Sequence, residues 1–222
     1  MKILIAGAYY RAEELQNTLP EAAEITTVES PFLVEDLNAF DIVFDVSADD
    51  EEYGLEPFVD LRKPVFISSV KTQLAEMADP DDDFGPIFGL NCLPTFINRP
   101  LKEISCLNSV SESVLQETCE MLGWEYQLVN DRVGMVTPRI IFMIINEACY
   151  TVQEGTANMQ DIDSSMKLGT AYPKGPFQWA DDIGVSDVYE TLEALFLDTG
   201  DERYKICPLL KTKYLKQESF LG

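Results

Sequence analysis

Short apolar runs alternate with polar or helical segments along the first 130 residues. Seven runs are rich in β-branched and aromatic residues, and each predicts a strand: KILIAG, EITTVES, DIVFDVS, PVFISSV, PIFGLN, LKEISCL and WEYQLVN. Between residues 12 and 19, and again between 111 and 122, apolar positions recur at helical spacing. Near-continuous apolar strands that alternate with helices predict a parallel, doubly wound α/β sheet.

The pattern changes to helical spacing after residue 130. RIIFMIINEACYTVQEG predicts an apolar helix that ends near Gly155, and NMQDIDSSMKLG predicts a shorter helix that Gly169 terminates. PFQWADDIG and VSDVYETLEALFLDTG predict two more helices. We therefore expect an α/β domain over residues 1–130 and an all-α domain over residues 131–222. The acidic runs SADDEEYG and ADPDDDFG in the first domain are typical of solvated loops.

Composition excludes several classes of function. The formal net charge of −23 argues against binding to duplex nucleic acid or to an anionic membrane surface. Five scattered cysteines show no metal-ligand or disulfide spacing, so we expect a cytoplasmic protein without a metal site. The chain contains no histidine, and every mechanism that uses imidazole as a proton-transfer group within one subunit is therefore excluded.

The first strand leads into most of a dinucleotide-binding fingerprint. In ILIAGAYYRAEELQ, Gly7 fills the first glycine position of G-x-G-x-x-G/A and Ala12 is acceptable at the last. Tyr9 replaces the second glycine, where a phenol would crowd the pyrophosphate. Glu29 follows the second strand, where an acid would accept the ribose hydroxyls. Two interpretations are open: a weakened NAD site, or a Rossmann sheet that binds no nucleotide.

The helical half carries a more specific pattern. NEACYTVQEGTANMQDIDSSMKLGTAYPKGPFQWADDIG, residues 146–184, resembles the C-terminal domain of 3-hydroxyacyl-CoA dehydrogenases. The first half resembles the Rossmann domain of that family more loosely. The resemblance implies an NAD-dependent oxidoreductase fold of fatty acid metabolism, with a homodimer formed through the helical domain.

The same resemblance places the family's functional residues on this chain. In GLNCLPTFINRPLKE, Asn91 takes the place of the catalytic His, and Glu103, twelve residues later, falls on its partner Glu. Pro138 replaces a substrate-contacting Asn, and Thr72 or Ser69 aligns loosely with a serine-rich loop. The helical hairpin that helps the family to hold coenzyme A has hardly any room here.

These departures predict a dehydrogenase-like protein that has lost the family reaction and serves as a binding or assembly module, with a small molecule or an acyl-CoA as its ligand. An alternative is an active NAD-dependent oxidoreductase on a different small hydroxy or oxo substrate, with Glu103 as the base. A third interpretation makes Cys92 a nucleophile. The residues favour an inert core cysteine instead, because a thiolate needs a cationic neighbour or a paired base.

Overall fold

The computed structural model describes residues 1–108 and 111–222 and divides the chain into two compact units, Met1–Met135 and Val136–Gly222. We refer to them as the Rossmann unit and the helical unit. No helix in the described ranges is both long and apolar enough to cross a lipid bilayer.

The Rossmann unit contains a seven-stranded sheet in the order β2-β1-β3-β4-β5-β6-β7. All seven predicted strands are confirmed, as β1 (Lys2–Ala6), β2 (Glu24–Val28), β3 (Ile42–Asp45), β4 (Val65–Ser68), β5 (Ile87–Leu90), β6 (Leu101–Cys106) and β7 (Glu125–Leu128). Its helices are α1 (Tyr9–Gln16), α2 (Leu74–Met77) and α3 (Glu112–Leu122). Because β1 lies between β2 and β3, the strand order reverses beside β1, where α/β sheets of this kind place their ligands.

One pairing departs from the predicted parallel sheet. Strand β6 runs antiparallel to β5, whereas all other neighbouring strands in the sheet are parallel. The reason is the connection between them: residues 91–100, all described, form turns rather than a helix. A parallel crossover needs about a dozen residues or more, usually with a helix. The short connection therefore reverses the chain.

Two apolar layers cover the sheet. On one face, Ala12 and Leu15 of α1 and Leu115 and Cys119 of α3 pack with strand residues in one buried cluster. On the other face, short 3-10 turns and loops contribute residues such as Phe58 to a second cluster. Both layers stabilise the unit, because burial of apolar surface contributes roughly 25 cal/mol per Å².

The boundary between the units lies after residue 135 rather than after residue 130. The Asp131 carboxylate accepts hydrogen bonds from the backbone N–H groups of Leu74, at 2.9 Å, and Ala75, at 3.0 Å, and so caps α2. The Gly134 N–H donates to the carbonyl of Val70 at 2.6 Å. These bonds fix residues 131–135 to the Rossmann unit.

The helical unit is all-α, as predicted. It contains α4 (Thr137–Gln153), α5 (Met159–Thr170), α6 (Pro176–Ile183), α7 (Val185–Thr199) and α8 (Pro208–Lys216). The prediction that Gly169 terminates α5 is wrong, because the helix continues to Thr170. Ala171, with φ 57°, supplies the left-handed cap that ends α5.

The pattern shared with the dehydrogenases has a structural explanation at the start of α6. The Asp163 side chain is buried, and its two oxygens accept the N–H groups of Phe177 at 2.9 Å and Gln178 at 3.0 Å. These are N–H groups of the first turn of α6, which have no partner within their own helix. A Cβ added at Gly175 would lie 2.1 Å from Asp163 Cγ, so only glycine lets the carboxylate approach. Asp163 and Gly175 therefore join α5 to α6.

We expect Asp163→Ala to lower the free energy of unfolding of the helical unit by about 2 kcal/mol, because two buried N–H groups would lose their acceptor. Asp163→Asn keeps one acceptor oxygen and should lose less. Urea denaturation followed by circular dichroism measures the change. The exposed neighbour Ser164→Ala is the matched control. Equal stability of Asp163→Ala and Ser164→Ala would contradict this assignment.

Candidate functional site

An open cleft lies at the carboxyl ends of β1, β2 and β3. Its volume is 680 Å³, which is in the range of small-molecule sites. The residues that line it are Gly7, Ala8, Tyr9, Thr27, Val28, Glu29, Ser47, Asp50 and Glu51. Three of the predicted cofactor positions, Gly7, Tyr9 and Glu29, therefore lie in one cleft.

The turn after β1 is held by a side chain from the turn after β3. Gly7 has a φ of 114°, which favours glycine, and a Cβ there would lie 2.8 Å from Ser47 Oγ. The Ala8 N–H donates to the same Ser47 oxygen at 2.9 Å. The Ser47 hydroxyl thus takes up one of the backbone donors that a Gly-rich turn offers to a phosphate.

The other predicted fingerprint residues, Ala12, Tyr9 and Glu29, differ in their burial. Ala12 is buried on α1 against the sheet, which is the packing role of the last fingerprint residue. Tyr9 is 73% exposed and stands at the rim of the cleft as the first residue of α1. The carboxylate of Glu29 is exposed and has no ion pair or hydrogen bond among the described residues.

Beside the cleft lies an ion cluster that the sequence analysis did not predict. Arg11 of α1 is only 1% exposed, and its guanidinium donates to the carbonyl of Val46 at 3.0 Å. The same nitrogen, Nη1, lies 2.9 Å from an oxygen of Asp50 and 3.8 Å from one of Asp49. A guanidinium so deeply buried requires such partners, because an uncompensated buried charge costs several kcal/mol.

Asp49 and Asp50 connect two strand ends. The Asp49 side chain is 0% exposed and accepts the N–H groups of Val70 at 2.8 Å and Lys71 at 3.1 Å. Asp50 also forms an ion pair with the Lys71 ammonium, whose side chain is 9% exposed. The expectation that the run SADDEEYG is a solvated loop is therefore wrong at Asp49. The sequence does show an arginine, Arg11, as the third residue of the helix that follows the Gly7 turn. No spacing in the sequence, however, pairs Arg11 with Asp49 and Asp50.

A second buried acid lies at the end of β3. Asp45 is 0% exposed and accepts hydrogen bonds from the Tyr53 hydroxyl at 2.8 Å and the Ser47 N–H at 3.2 Å. Burial raises the pKa of Asp45 to about 6, and these two hydrogen bonds offset only part of that effect. The negative charges of Asp49 and Glu51 raise the pKa of Asp45 further.

Asn91, which the sequence analysis predicts to replace the family's catalytic His, directs its side chain to the neighbouring backbone. It is 4% exposed, and its Oδ1 accepts the Leu93 N–H at 3.3 Å, an Asx turn that begins the connection to β6. Its own N–H donates to the Glu103 carbonyl at 3.4 Å. The structure thus brings Asn91, in the turn after β5, close to Glu103 on the neighbouring strand β6.

Glu103 is half-buried and interacts with a cation, Arg99. Burial lowers the pKa of Arg99, and the negative charge of Glu103 raises it less strongly. The pKa of Arg99 is therefore lowered overall. The Arg99 guanidinium donates to the Thr95 carbonyl at 3.0 Å and stacks 4.0 Å from the centroid of the Phe96 ring. A guanidinium thus lies near the position of the partner Glu.

Lys102 and Cys92 are buried in the same region. The Lys102 ammonium donates to the carbonyls of Ile97 and Arg99 and lies 4.9 Å from the centroid of the Trp124 ring. Burial lowers the pKa of Lys102 to about 8. Cys92 is 0% exposed, and burial raises the pKa of its thiol, which disfavours the reactive thiolate. Lys102 therefore holds the turns between β5 and β6.

The remaining predicted positions lie in both units. Thr72 is half-buried in the loop between β4 and α2, and Ser69 is buried at the end of β4 with no hydrogen-bond partner found for its hydroxyl among the described residues. Pro138 is buried in the first turn of α4, where a helix tolerates a residue without an N–H.

Residues 134–219 match the family model for the 3-hydroxyacyl-CoA dehydrogenase C-terminal domain. A 3-hydroxybutyryl-CoA dehydrogenase of Bradyrhizobium diazoefficiens is 31% identical over 192 residues, which are 82% of this chain and 65% of that protein. The chain belongs to the 3-hydroxyacyl-CoA dehydrogenase family. This is a family of NAD-dependent dehydrogenases.

Two further comparisons agree with this assignment. A probable 3-hydroxybutyryl-CoA dehydrogenase of Bacillus subtilis is 43% identical over 97 residues, which are 44% of this chain and 33% of that protein. The crystal structure of an (S)-3-hydroxybutyryl-CoA dehydrogenase from Ralstonia eutropha aligns with a TM-score of 0.70 at 21% identity, over 97% of this chain and 94% of that one. This structural likeness shows the shared fold. The matched regions span less than two thirds of the length of either curated relative.

The cleft fits one half of the family's cofactor and not the other. Glu29 offers an acceptor for ribose hydroxyls, but none of the described residues that line the cleft is basic. The ends of β3, β4 and β5, over which the nicotinamide half of a dinucleotide would extend, are covered by buried side chains. Ser69 and Asn91 follow β4 and β5, and Arg11 of α1 reaches the Val46 carbonyl after β3. We therefore derive no chemical step through NAD.

The raised pKa of Asp45 predicts a pH-dependent stability. Because the folded state binds the proton of Asp45 more tightly than the unfolded state, this group stabilises the fold below about pH 3.8, and the contribution is lost as the pH rises through about 6. Asp45→Asn should therefore gain stability relative to the native chain by up to about 3 kcal/mol between pH 4 and pH 7.

Denaturant titrations at several pH values measure this difference. Asp60→Asn is the control, because the Asp60 side chain is 80% exposed and an asparagine accepts its φ of 61°. Its stability should differ from that of the native chain by a constant amount across this pH window. A difference for Asp45→Asn that does not change with pH would show that Asp45 is ionised as readily in the folded state as in the unfolded one.

Proposed function

We propose that the protein no longer carries out the reaction of the 3-hydroxyacyl-CoA dehydrogenases and acts as a homodimeric binding module built on their fold. The observation that carries the proposal is the state of Asn91. Its amide does not titrate in water, so it offers no general base at the position of the family's His. Its Oδ1 is also engaged with the Leu93 N–H.

Other features near this position support the same proposal. The chain contains no histidine that could serve as the base from another position. Glu103 lies near Arg99, so the group beside its carboxylate is a guanidinium instead of an imidazole. A guanidinium remains protonated near neutral pH and cannot accept the proton of an alcohol.

The test of this proposal is turnover. Purified protein mixed with NADH and acetoacetyl-CoA should oxidise NADH no faster than buffer. In this direction the same site must donate a proton to the reduced carbonyl, and general acid–base catalysis contributes a factor of about 10² to 10⁴. Turnover well above this background would contradict the proposal. Turnover restricted to a small oxo substrate without CoA would instead support the alternative in which Glu103 transfers the proton, as the acid in this direction and as the base in the oxidation. Glu103→Gln should then abolish it.

Asn91→His alone should not restore activity, because residue 91 is 4% exposed and belongs to a turn, and because Arg99 lies near Glu103. The same NADH assay measures this outcome. Asn91→Gln is the control for the effect of a larger side chain on folding. Recovery of family-like turnover in Asn91→His would mean that the crevice still admits both substrates, and the proposal would be wrong.

We propose the apolar groove of the helical unit as the surface of the homodimer. The groove has a volume of 850 Å³ and lies between α4 and α5, and its apolar residues include Ile140, Met143, Ile144, Ile162 and Met166. Ile140 is 55% exposed, and Leu168 of α5 is 89% exposed. An exposed apolar face of this kind marks an interaction surface, and a two-fold dimer pairs the same face of both copies.

Ile140→Glu should convert the dimer to a monomer, because each copy would place a buried carboxylate in the apolar contact. Sedimentation velocity at micromolar concentration measures the mass. Leu197→Glu is the matched control: Leu197 is 77% exposed on α7 and does not line the groove. A monomeric native protein, or dissociation caused equally by both substitutions, would contradict this interface.

We also propose a cytoplasmic location. It is supported by the five cysteines, all of which are free thiols in the structure. Such thiols persist in a reducing compartment.

A further inference from the structure

Two serine side chains are buried together in the sheet of the Rossmann unit. Ser69 follows β4 and is 1% exposed, and Ser105 lies on β6 and is 0% exposed. Neither hydroxyl oxygen has a hydrogen-bond partner among the described residues. Burying a hydroxyl without a partner is costly, and almost every buried polar group of a folded protein bonds either to protein or to ordered water.

Both hydroxyls converge on Gly89, on the strand between them. In the sheet, Gly89 of β5 lies beside Ile67 of β4 and Ser105 of β6. A Cβ added at Gly89 would lie 2.2 Å from Ser69 Oγ and 2.4 Å from Ser105 Oγ. The two oxygens therefore lie close together on one face of the sheet, and only glycine at residue 89 leaves room for both.

The geometry over Gly89 suits a single water molecule. A water that forms hydrogen bonds of about 2.8 Å bridges two oxygens up to about 5.5 Å apart, which exceeds the sum of the two distances from the added Cβ. Each serine hydroxyl both donates and accepts, so one water is able to satisfy the two of them. Leu74 of α2 is 0% exposed, and its Cδ1 would lie 3.4 Å from the same Cβ, so an apolar side chain closes the site.

Other occupants of this site fit less well. Two neutral hydroxyls provide neither the charge nor the number of oxygen ligands that Ca²⁺ or Mg²⁺ takes. An organic ligand would have to displace Leu74 from the core. The hydroxyls of Ser69 and Ser105 form no hydrogen bond with each other. Buried waters, in contrast, are typically held by polar groups that the protein leaves without another partner.

We propose that one ordered water molecule binds between Ser69 and Ser105 and links β4 to β6 across β5. Gly89 makes room for this water, and the two serines are its ligands. Gly89 precedes Asn91 by two residues, and Ser105 follows Glu103 by two. The water therefore holds together the strand segments that place Asn91 and Glu103. This role does not depend on whether the chain catalyses the reaction of its family.

A high-resolution crystal structure of the native chain tests the proposal directly. Density for one water should lie about 2.8 Å from Ser69 Oγ and from Ser105 Oγ. Oxygen-17 magnetic relaxation dispersion counts the long-lived internal water molecules in solution. The native chain should hold one more of them than the Ser69→Ala/Ser105→Ala double variant. The crystal structure decides the question even where the double variant does not fold.

A double-mutant cycle measures the bridge through stability. Ser69→Ala and Ser105→Ala should each lower the equilibrium constant for folding roughly fivefold, because the water and the other hydroxyl lose a partner. The double variant should lose clearly less than the product of the two single effects, because either substitution alone already breaks the same bridge. Ser113→Ala, at an exposed position on α3, is the matched control and should not lower the stability. Urea denaturation followed by circular dichroism measures each variant.

Several results would overturn the proposal. One is a direct hydrogen bond between Ser69 and Ser105 with no water density beside both oxygens. Another is an equal number of long-lived internal waters in the native chain and the folded double variant. The third is a double variant in which the two single effects multiply in full. None of these measurements involves NADH or an acyl substrate, so the water site and the proposed loss of the family reaction are tested separately.

Discussion

The neutralisation of one buried guanidinium organises the ligand-binding edge of the Rossmann unit. Arg11 lies on the helix that follows the first strand and is 1% exposed, so its charge requires acids close by. Asp50 and Asp49 meet that need, and Asp49 in turn accepts the N–H groups of Val70 and Lys71. The segments after β1, β3 and β4 are thereby joined by ion pairs and hydrogen bonds beside the open cleft at the ends of β1, β2 and β3.

The residues on which the resemblance to the dehydrogenases rests fall into two groups. One group holds the fold together, and the other corresponds to positions that the family uses for its reaction. Asp163 caps α6 and requires Gly175 beside it, and Asn146 of α4 accepts the Cys207 N–H at 2.8 Å and donates to the Lys205 carbonyl at 2.9 Å. These shared motif residues hold helices together and need no substrate to account for them. At Asn91 and Tyr9, by contrast, the resemblance predicts that the family's base and the second fingerprint glycine are replaced. The family fold is therefore a sound conclusion for this chain, and the family activity does not follow from it.

The seven strands and the helical second half follow from local patterns, because burial imposes a period of two or 3.6 on apolar positions. Helix caps and tertiary pairings are harder to predict from the sequence. Nothing in the local sequence marks Ala171 rather than Gly169 as the end of α5, and the reversal of β6 depends on the length of its connection. The pairing of Arg11 with acids 38 and 39 residues later is a tertiary contact that no periodicity encodes. The prediction that Asn91 replaces the family's base rests on the resemblance alone.

The most direct test of this account is crystallographic. Crystals soaked with NAD⁺ should show the Arg11–Asp50 ion pair unchanged and no ordered nicotinamide over the ends of β4 and β5. A complete NAD⁺ molecule in density, with its pyrophosphate at the Gly7 turn and its nicotinamide beside Asn91, would contradict it.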